Sequence, residues 1–460
     1  MISTVVLARM LTPSDYGLVA MVAVVYQFVA IFSDMGLSIS TVQQDKITHQ
    51  QVSNLFWVNM LVTVGLGILM AISSPLIAWF YSDPRITSIS LWTAATFPLV
   101  GLTLQHYALL RRQMRFATIA RIQMASMIVS VSAALIAAYL GIGYWSLIVM
   151  NISGLAFSVP MVWIATKWIP GWFAKKQGTR AHIAFGGYLT ASNIAGYFFK
   201  NMDRILIGKF CSAQELGIYD RAYQLIMMPL SRFIYPLTNL TMPVLSRLQD
   251  DPVRYRKVYI EIQEKMCFII APLIGVVVAY SDWIIVLILG DQWLDASAIF
   301  VWLSLSGMLQ ATLGLVVNLF ISQRRVKEHF YWQIVSATIA TISYIIGIPW
   351  GAKGVAISFG LSAVLLDFPL YTWWAGRKGP VATFDIVRPV VSFATYGFFL
   401  ALIFHIFRSM FKFGDSLFVV VTVLTISLLI GYFSYFIVPH TRTLAYDLIQ
   451  YRKQVFNKKS

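Results

Sequence analysis

Long apolar segments alternate with short polar connections along almost the whole chain. A helix that crosses a bilayer needs roughly 17–25 mostly apolar residues, and on that scale the chain contains about fourteen such segments, the first of them incomplete. This pattern predicts an all-α integral membrane protein. We expect the segments near residues 1–10, 15–35, 54–80, 88–110, 118–140, 143–166, 183–208, 215–240, 262–280, 296–321, 330–349, 353–375, 387–408 and 416–438.

The composition excludes an ordinary soluble protein. Hydrophobic residues make up 58% and charged residues 12% of the 460 residues, whereas a soluble domain carries about a quarter charged residues. Neither of the two cysteines has metal-ligand or redox spacing, so we expect no metal site and no disulfide framework. No Gly-rich phosphate-binding motif is present, which disfavours ATP-driven transport by this chain.

Basic residues cluster in every second connection, and the connections between these clusters are short and nearly neutral. Because cytoplasmic loops of membrane proteins collect Lys and Arg, the net charge of +16 indicates topology rather than binding of nucleic acid. We therefore expect a multi-pass protein with a cytoplasmic C-terminus. The clusters begin at Arg111, Lys175, Arg254, Arg324, Arg377 and Arg452.

The chain contains an internal repeat. The stretch "LARMLTPSDYGL" at Leu7–Leu18 matches "IGKFCSAQELGI" at Ile207–Ile218 with a constant offset of 207 − 7 = 200 residues. Two weaker pairs, Trp92 with Trp302 and Arg112 with Arg324, give offsets of 210 and 212. Two similar halves of about six spans each are typical of transporters, and the even number of spans between the copies predicts parallel repeats.

Each copy of the repeated stretch predicts a helical hairpin. Thr12 and Asp15 have the spacing of a capping box at the start of a helix, and Ser212 and Glu215 repeat it. We favour this structural role over substrate contact. Only six residues precede Leu7, whereas about 25 apolar or small residues precede Ile207. Since a span needs about 20 residues, roughly 18 residues of the first helix are missing on this pattern, and we expect an N-terminally truncated chain or a misassigned start.

Three motifs carry a resemblance to a known family. The stretches "LARMLTPSDYGLVAM", "FSDMGLS" and "NMDRILIGKF" followed by "ELGIYDRAYQL" resemble the polysaccharide exporter family, which includes the O-antigen and colanic-acid flippases. That family belongs to the superfamily of multidrug, oligosaccharidyl-lipid and polysaccharide transporters. The resemblance covers nearly the whole chain in motif order and span pattern.

The resemblance implies two six-helix lobes around a central cavity, with two further helices at the C-terminus. We expect an N-terminal lobe at 1–166, a cytoplasmic linker at 167–182, a C-terminal lobe at 183–376, and the additional helices with a basic tail at 377–460. The implied function is translocation of undecaprenyl-diphosphate-linked oligosaccharides across the bacterial cytoplasmic membrane by alternating access, for O-antigen, capsule or exopolysaccharide. No cofactor is implied beyond coupling to an H⁺ or Na⁺ gradient, and polysaccharide polymerases or assembly proteins are the implied partners.

Ionisable residues within a span are costly and tend to line cavities. In the segment near 183–208, polar residues recur at spacings of four and three and so share one helical face. We interpret this face as a cationic, cavity-facing stripe that meets a diphosphate or acidic sugar, with Asp203 placed to pair with Lys200. Snorkelling of the two cations to the interface is the alternative. The candidate substrate-binding residues are Asn193, Tyr197, Lys200, Asp203, Arg204, Arg232 and Gln310.

Other polar residues in the spans, among them Gln105, His106, Asn318 and Asp367, are more simply explained by hydrogen bonds between helices. Two other functions stay open. A small-cation or drug antiporter is disfavoured by a cationic stripe, because like charges repel in a cavity of low dielectric constant. A membrane polymerase or ligase needs a long extracytoplasmic loop with catalytic residues, which the sequence lacks, so we expect no enzyme.

Overall fold

The computed structural model describes residues 2–34, 36–44, 47–173, 196–198, 200–410, 417–433 and 435, and their regular structure is entirely helical. Nine helices or helix pairs within these ranges are long and apolar enough to cross a membrane. The protein is therefore a multi-pass membrane protein, as its hydropathy predicts. The count of fourteen spans stays a prediction. The nine are Pro13–Ala30, His49–Tyr81, Arg85–Arg112, Phe116–Tyr139, Trp145–Thr166, Pro252–Ala279, Ala296–Ser322, Val326–Gly376 and Thr383–Met410.

Residue contacts divide the chain into two units, Met1–Asp220 and Arg221–Ser460. The division falls within one long helix. The linker predicted at 167–182 lies largely outside the described residues, so the predicted division into lobes is not tested. The first unit contains α1 (Ile2–Met10), α2 (Pro13–Ala30), α3 (Leu37–Gln43), α4 (His49–Tyr81), α5 (Arg85–Ala94), α6 (Thr96–Arg112), α7 (Phe116–Tyr139), α8 (Trp145–Thr166), α9 (200–210) and the start of α10 (Ala213–Arg247).

Close helix packing in the first unit depends on small residues. The span expected near 88–110 consists of two helices, α5 and α6, which meet at Ala95 and both pack against α4. A Cβ atom at Gly101 would collide with the Thr63 side chain, so α4 and α6 approach closely at this level. α7 and α8 form an antiparallel pair, joined by a turn in which Gly141 has φ +74°. That backbone conformation favours glycine.

The second unit continues from α10 through eight further helices and two short 3₁₀ turns. Its helices are α11 (Pro252–Ala279), α12 (Ser281–Ile288), α13 (Ala296–Ser322), α14 (Val326–Gly347), α15 (Gly351–Ser362), α16 (Phe368–Gly376), α17 (Thr383–Met410) and α18 (Leu417–Phe433). A π-helical turn, Ala363–Asp367, joins α15 to α16. α14 returns as α15 and α16, so the 51-residue segment Val326–Gly376 is an antiparallel pair.

The two C-terminal helices, which the sequence places outside the repeat, are fixed to α11. α11 and α17 form an extensive helix contact. At one end the Arg256 guanidinium binds the Asp385 carboxylate with distances of 2.6 and 2.7 Å. Nearby, the buried Gln263 amide donates to the backbone carbonyl of Ile386 at 2.7 Å. Polar contacts thus fix the register of a largely apolar helix pair.

Candidate functional site

The two repeated hairpins pack against each other through glycine. A Cβ atom added to Gly17 would overlap the backbone of Ala213, and one added to Gly217 would overlap the backbone of Pro13. Because 17 + 200 = 217 and 13 + 200 = 213, these two contacts correspond to each other under the repeat. The N-terminal turns of α2 and α10 therefore form a reciprocal contact, as two related elements do around a local twofold axis.

Side-chain caps hold these N-terminal turns. Thr12 Oγ1 accepts the Asp15 backbone N–H at 3.2 Å, and Asp15 Oδ2 accepts the Thr12 backbone N–H at 2.9 Å. In the second copy Ser212 Oγ accepts the Glu215 N–H at 3.2 Å. Asp15 Oδ1 also accepts the Tyr144 N–H at 3.0 Å, so the first cap fixes the turn between α7 and α8 as well.

Lys209 ends the helix before the second hairpin, at the position that corresponds to Arg9. Its ammonium group donates to the backbone carbonyl of Phe80 and lies 4.9 Å from the centre of the Phe80 ring. A cation near an aromatic face at a helix end stabilises local packing. The observed contacts of Lys209 thus attach α9 to α4.

Arg204, a candidate substrate residue, is engaged within the protein. Its Nε donates to Asp220 Oδ1 at 2.9 Å and its Nη1 donates to Asn201 Oδ1 at 3.0 Å. The side chains of Arg204 and Asp220 are 16% and 7% exposed, respectively. A mostly buried cation of this kind is neutralised by its carboxylate and is a poorer phosphate partner than the sequence suggests.

Asp203 does not form the ion pair with Lys200 that their three-residue spacing allows. Its buried carboxylate accepts the Tyr219 hydroxyl at 3.0 Å and the Arg204 backbone N–H at 2.8 Å, while Lys200 is exposed. The three-residue spacing allows an ion pair, but packing of α9 against α10 turns Asp203 inward. The face is therefore of mixed charge rather than uniformly cationic.

Tyr197 is buried beside an apolar groove of about 290 Å³ in the first unit. Its hydroxyl donates to the Val24 backbone carbonyl, and its ring lies 5.5 Å from that of Phe28. A groove with this lining suits an alkyl or prenyl chain rather than a sugar. The lining residues are Val24, Val25, Phe28, Leu76, Ile77, Phe80, Tyr81, Tyr197, Phe198 and Ile205.

Of the other three candidates, the structure describes Arg232 and Gln310. Asn193 lies outside the described residues. Arg232 and Gln310 belong to the second unit and are exposed there. Within the described parts of the chain, no group of three or more His, Cys, Asp or Glu side chains could hold a metal ion. The contacts described for the cluster around Arg204 are hydrogen bonds and an ion pair.

Asp220 and Tyr219 are the functional candidates that the sequence interpretation missed. Both lie in the stretch "ELGIYDRAYQL", which carries part of the family resemblance. Tyr219 follows Asp203, and Asp220 follows Arg204, by 16 residues. This sequence separation places the partners on the two helices of one hairpin. Counting back across the predicted turn from α10 to α9 would have indicated these pairs.

Three of the polar residues assigned to contacts between helices make such contacts. Gln105 accepts the Thr41 hydroxyl at 2.8 Å, His106 Nδ1 lies 2.8 Å from Thr166 Oγ1, and Asn318 donates to the Thr238 carbonyl at 3.0 Å.

A second set of repeated contacts lies at the turns before α7 and α14. Arg115 donates to the Ala165 carbonyl at 2.8 Å, and Arg325 donates to the Ala375 carbonyl at 3.0 Å. Both pairs are related by 325 − 115 = 375 − 165 = 210 residues. The preceding residues, Met114 and Arg324, have φ +54° and +59°.

This geometry corrects one pairing inferred from sequence. The offset of 212 between Arg112 and Arg324 is wrong for this turn, where the offset is 210 and the matching pair is Arg115 with Arg325. The offset of 210 that relates Trp92 to Trp302 is the same.

Comparison with known proteins gives a family match and several distant relatives. Residues 6–298 match the family model described as polysaccharide biosynthesis protein. The chain is 26% identical to the teichuronic acid biosynthesis protein TuaB of Bacillus subtilis over 66% of this chain and 64% of TuaB. It is 22% identical to the lipopolysaccharide biosynthesis protein WzxC of Escherichia coli, over 79% of this chain and 75% of WzxC.

A third relative is the succinoglycan biosynthesis transport protein ExoT of Rhizobium meliloti, which is 21% identical over 73% of this chain and 68% of ExoT. Among solved structures, the lipid II flippase MurJ in an inward closed conformation superposes with a TM-score of 0.72. The superposition covers 95% of each chain at 14% identity, so it establishes a shared fold.

Proposed function

Since the chain belongs to the family of polysaccharide biosynthesis proteins, we propose that it is a flippase that moves lipid-linked oligosaccharides for a surface polysaccharide across the cytoplasmic membrane. The names of WzxC, TuaB and ExoT support a role in polysaccharide assembly and transport. The fold shared with a lipid II flippase supports movement of a lipid-linked saccharide. The chain acts as a transporter rather than as a polymerase or ligase.

In the proposed mechanism, the reciprocal contact between the two hairpins controls access to the substrate path from one side of the membrane. Cation-rich turns at Arg115 and Arg325 mark the cytoplasmic end of the helices by the positive-inside rule, and the hairpins lie at the other end of the first unit. In this proposal the Gly17 and Gly217 contacts hold the two hairpins together at the extracytoplasmic end of the first unit. Separation of the two hairpins opens that end, and the lipid portion of the substrate follows apolar surface such as the groove beside Tyr197.

Deletion of the gene in the strain that carries it tests this function. Lipid-linked repeat units are then quantified on each leaflet with a membrane-impermeant probe. A flippase predicts complete units that accumulate on the cytoplasmic leaflet, and their release when the wild-type gene is restored. Complete but unpolymerised units on the outer leaflet would indicate a polymerase or ligase. Normal surface polysaccharide with altered drug tolerance would indicate an antiporter.

A further inference from the structure

Asp367 lies in the apolar span formed by α14, α15 and α16, at the last position of the π-helical turn Ala363–Asp367. A carboxyl group within a span is costly and tends to have a function, and π-helical turns occur frequently at functional sites. Asp367 faces Ser336 on α14. Its Oδ1 atom is buried and has no hydrogen-bond partner among the described residues.

A line of titratable groups connects this carboxyl group to the cation-rich end of the helices. Tyr371 lies one turn after Asp367 on the same face of α16. The Tyr371 hydroxyl lies 3.1 Å from His329 Nδ1 on α14. His329 follows Glu328 in the chain. At the cation-rich end of the helices, Glu328 forms ion pairs with Arg325, Arg377 and Lys378.

The first copy of the repeat provides an internal comparison. With the offset of 210 that relates Arg115 to Arg325, the positions of Asp367, Tyr371 and His329 correspond to Phe157, Met161 and Ile119. Ile119 and Met161 belong to an apolar cluster there. The contact between the corresponding helices is thus apolar in the first unit and contains titratable groups in the second. Helix packing alone would require no titratable groups in either unit.

We propose that Asp367 is a proton-coupling site of the transporter, connected to the cytoplasm through Tyr371 and His329. This inference rests on the proposed function. A proton from the outside binds the Asp367 carboxylate and forms the neutral acid. On release it passes to the Tyr371 hydroxyl and then to the His329 imidazole, each of which gives up one proton as it accepts one, and it enters cytoplasmic water.

The surroundings favour a proton over Na⁺. A hard cation prefers several oxygen ligands, whereas the one side-chain oxygen ligand found beside the Asp367 carboxyl group among the described residues is the Ser336 hydroxyl. Tyr371 is one helical turn from Asp367, and its hydroxyl contacts His329 on α14. α13 contains no ionisable residue, and the single one of α15, Lys353, is near its distant start. Protonation therefore switches the dominant charge at this site.

Transport by purified protein in liposomes tests the coupling. The probe is a lipid-linked oligosaccharide extracted from the gene-deletion strain, and an imposed pH gradient is compared with an imposed Na⁺ gradient. We expect a pH gradient to accelerate transport by the wild type. Asp367→Asn should remove that acceleration, with an about tenfold loss in driven rate, a typical size for coupling between sites. Asp367→Glu should restore part of it.

Tyr371 and His329 carry the proton in this scheme, so Tyr371→Phe, which removes the relay hydroxyl, should slow pH-driven transport and alter its pH profile while leaving substrate affinity unchanged. Met161→Leu, at the corresponding position of the first copy, is the matched control and should leave the profile unchanged. A response of Asp367→Asn to the pH gradient equal to that of the wild type would overturn the proposal. So would acceleration by Na⁺ alone.

A measurement without substrate separates this proposal from the proposed function. Infrared spectra of the purified wild type, recorded across a pH titration, should contain a carbonyl band of a protonated carboxyl group in an apolar environment. The band should be absent in Asp367→Asn and present in Met161→Leu. If the band titrates as expected but no saccharide moves, the proposed function fails while the proton site stands. If the band is identical in Asp367→Asn, the proton site fails.

Discussion

Arg115 and Arg325 occupy corresponding turns in the two halves of the chain, but they meet different neighbours. Arg115 binds backbone and amide oxygens, whereas Arg325 also binds the carboxylate of Glu328 at 3.0 Å. The position of Glu328 corresponds to Thr118 in the first copy. The two turns therefore share their backbone geometry, but only the second copy has a carboxylate that binds the turn arginine.

The same contrast extends into the helices behind the turns. The first copy packs Ile119 and Met161 in an apolar cluster, whereas the second places His329 and Tyr371 there in hydrogen-bonding contact. Apolar packing alone is enough to join such helices. This comparison teaches that polar groups which only one copy has, such as His329 and Tyr371, are candidates for a function beyond packing.

The hairpins give the opposite result, because there the two copies are equivalent. Gly17→Ala and Gly217→Ala should each destabilise the protein by about 3 kcal/mol, at the upper end for overpacking, and should abolish export. Their effects should be similar, since each new methyl group meets the backbone of the other hairpin. Thermal unfolding in detergent and surface polysaccharide are the measurements.

Gly65→Ala is the control for these variants. Gly65 lies in α4 with nothing near an added Cβ atom, so the change should be neutral or stabilise the helix by up to about 1 kcal/mol. The reciprocal contact would be refuted if either hairpin variant behaved like this control.

The two turn arginines should differ in the cost of removal. Arg325→Ala removes bonds to the carbonyls of Trp374, Ala375 and Lys378 and leaves Glu328 with fewer cations. We expect a loss of about 3 kcal/mol in the free energy of unfolding for a largely buried ion pair with backbone contacts. Arg115→Ala should cost about 1 kcal/mol, the value of an ordinary hydrogen bond. Equal losses in thermal unfolding would mean that the added charges contribute nothing.

Acid should weaken the second unit at the contact between α12 and α17. Burial opposes ionisation of Asp282, but hydrogen bonds from Arg408 at 2.6 and 2.7 Å, aided by backbone N–H groups, lower the pKa of the carboxyl below its ordinary value. Because the folded pKa is lowered, the stabilisation is present above the unfolded pKa of about 3.9 and is lost as pH falls through the folded value.

Asp282→Asn should therefore reduce the unfolding temperature at pH 7 and make it less sensitive to acid below pH about 4. Asp83→Asn is the comparison in the first unit, where a hydrogen bond from the near neighbour Arg85 lowers the pKa of Asp83. Its effect should be smaller, since that pair joins no separate helices. A greater acid sensitivity in Asp282→Asn than in the wild type would contradict a lowered pKa of Asp282 in the folded protein.

Thr118→Glu should transfer part of the second copy's charge network to the first. A carboxylate at this position is three residues after Arg115, as Glu328 is after Arg325. We expect a gain of about 0.5 kcal/mol, because an exposed pair contributes little. Comparing the thermal unfolding of Thr118→Glu with that of Thr118→Gln separates the effect of charge from that of side-chain size. Equal unfolding temperatures for the two variants would mean that the introduced glutamate forms no ion pair with Arg115.

Local features of the fold could be predicted from the sequence. The cap made by Thr12 and Asp15 depends on residues three apart, and its geometry follows from that spacing alone. The long apolar runs likewise predict helices that cross a membrane. The short helices α3 and α12 and the break at Ala95 follow from tertiary packing, which hydropathy does not report.

The candidate site was less predictable, because its contacts cross between helices. The spacing of Lys200 and Asp203 allowed an ion pair, yet Asp203 faces Tyr219 on the next helix. Which way a polar side chain points depends on the rotation of its helix about its own axis. The partner of Arg204 is Asp220, and a pair of this separation is visible only once the hairpin is assembled.

Leaflet-resolved transport by the purified chain alone tests the central claim most directly. Wild-type protein is reconstituted into liposomes with a lipid-linked oligosaccharide, and an impermeant probe measures how much of it reaches the opposite leaflet. The account predicts rapid exchange by the wild type and by Gly65→Ala, and little exchange by Gly17→Ala and Gly217→Ala. Exchange by the wild type no faster than in protein-free liposomes would contradict it.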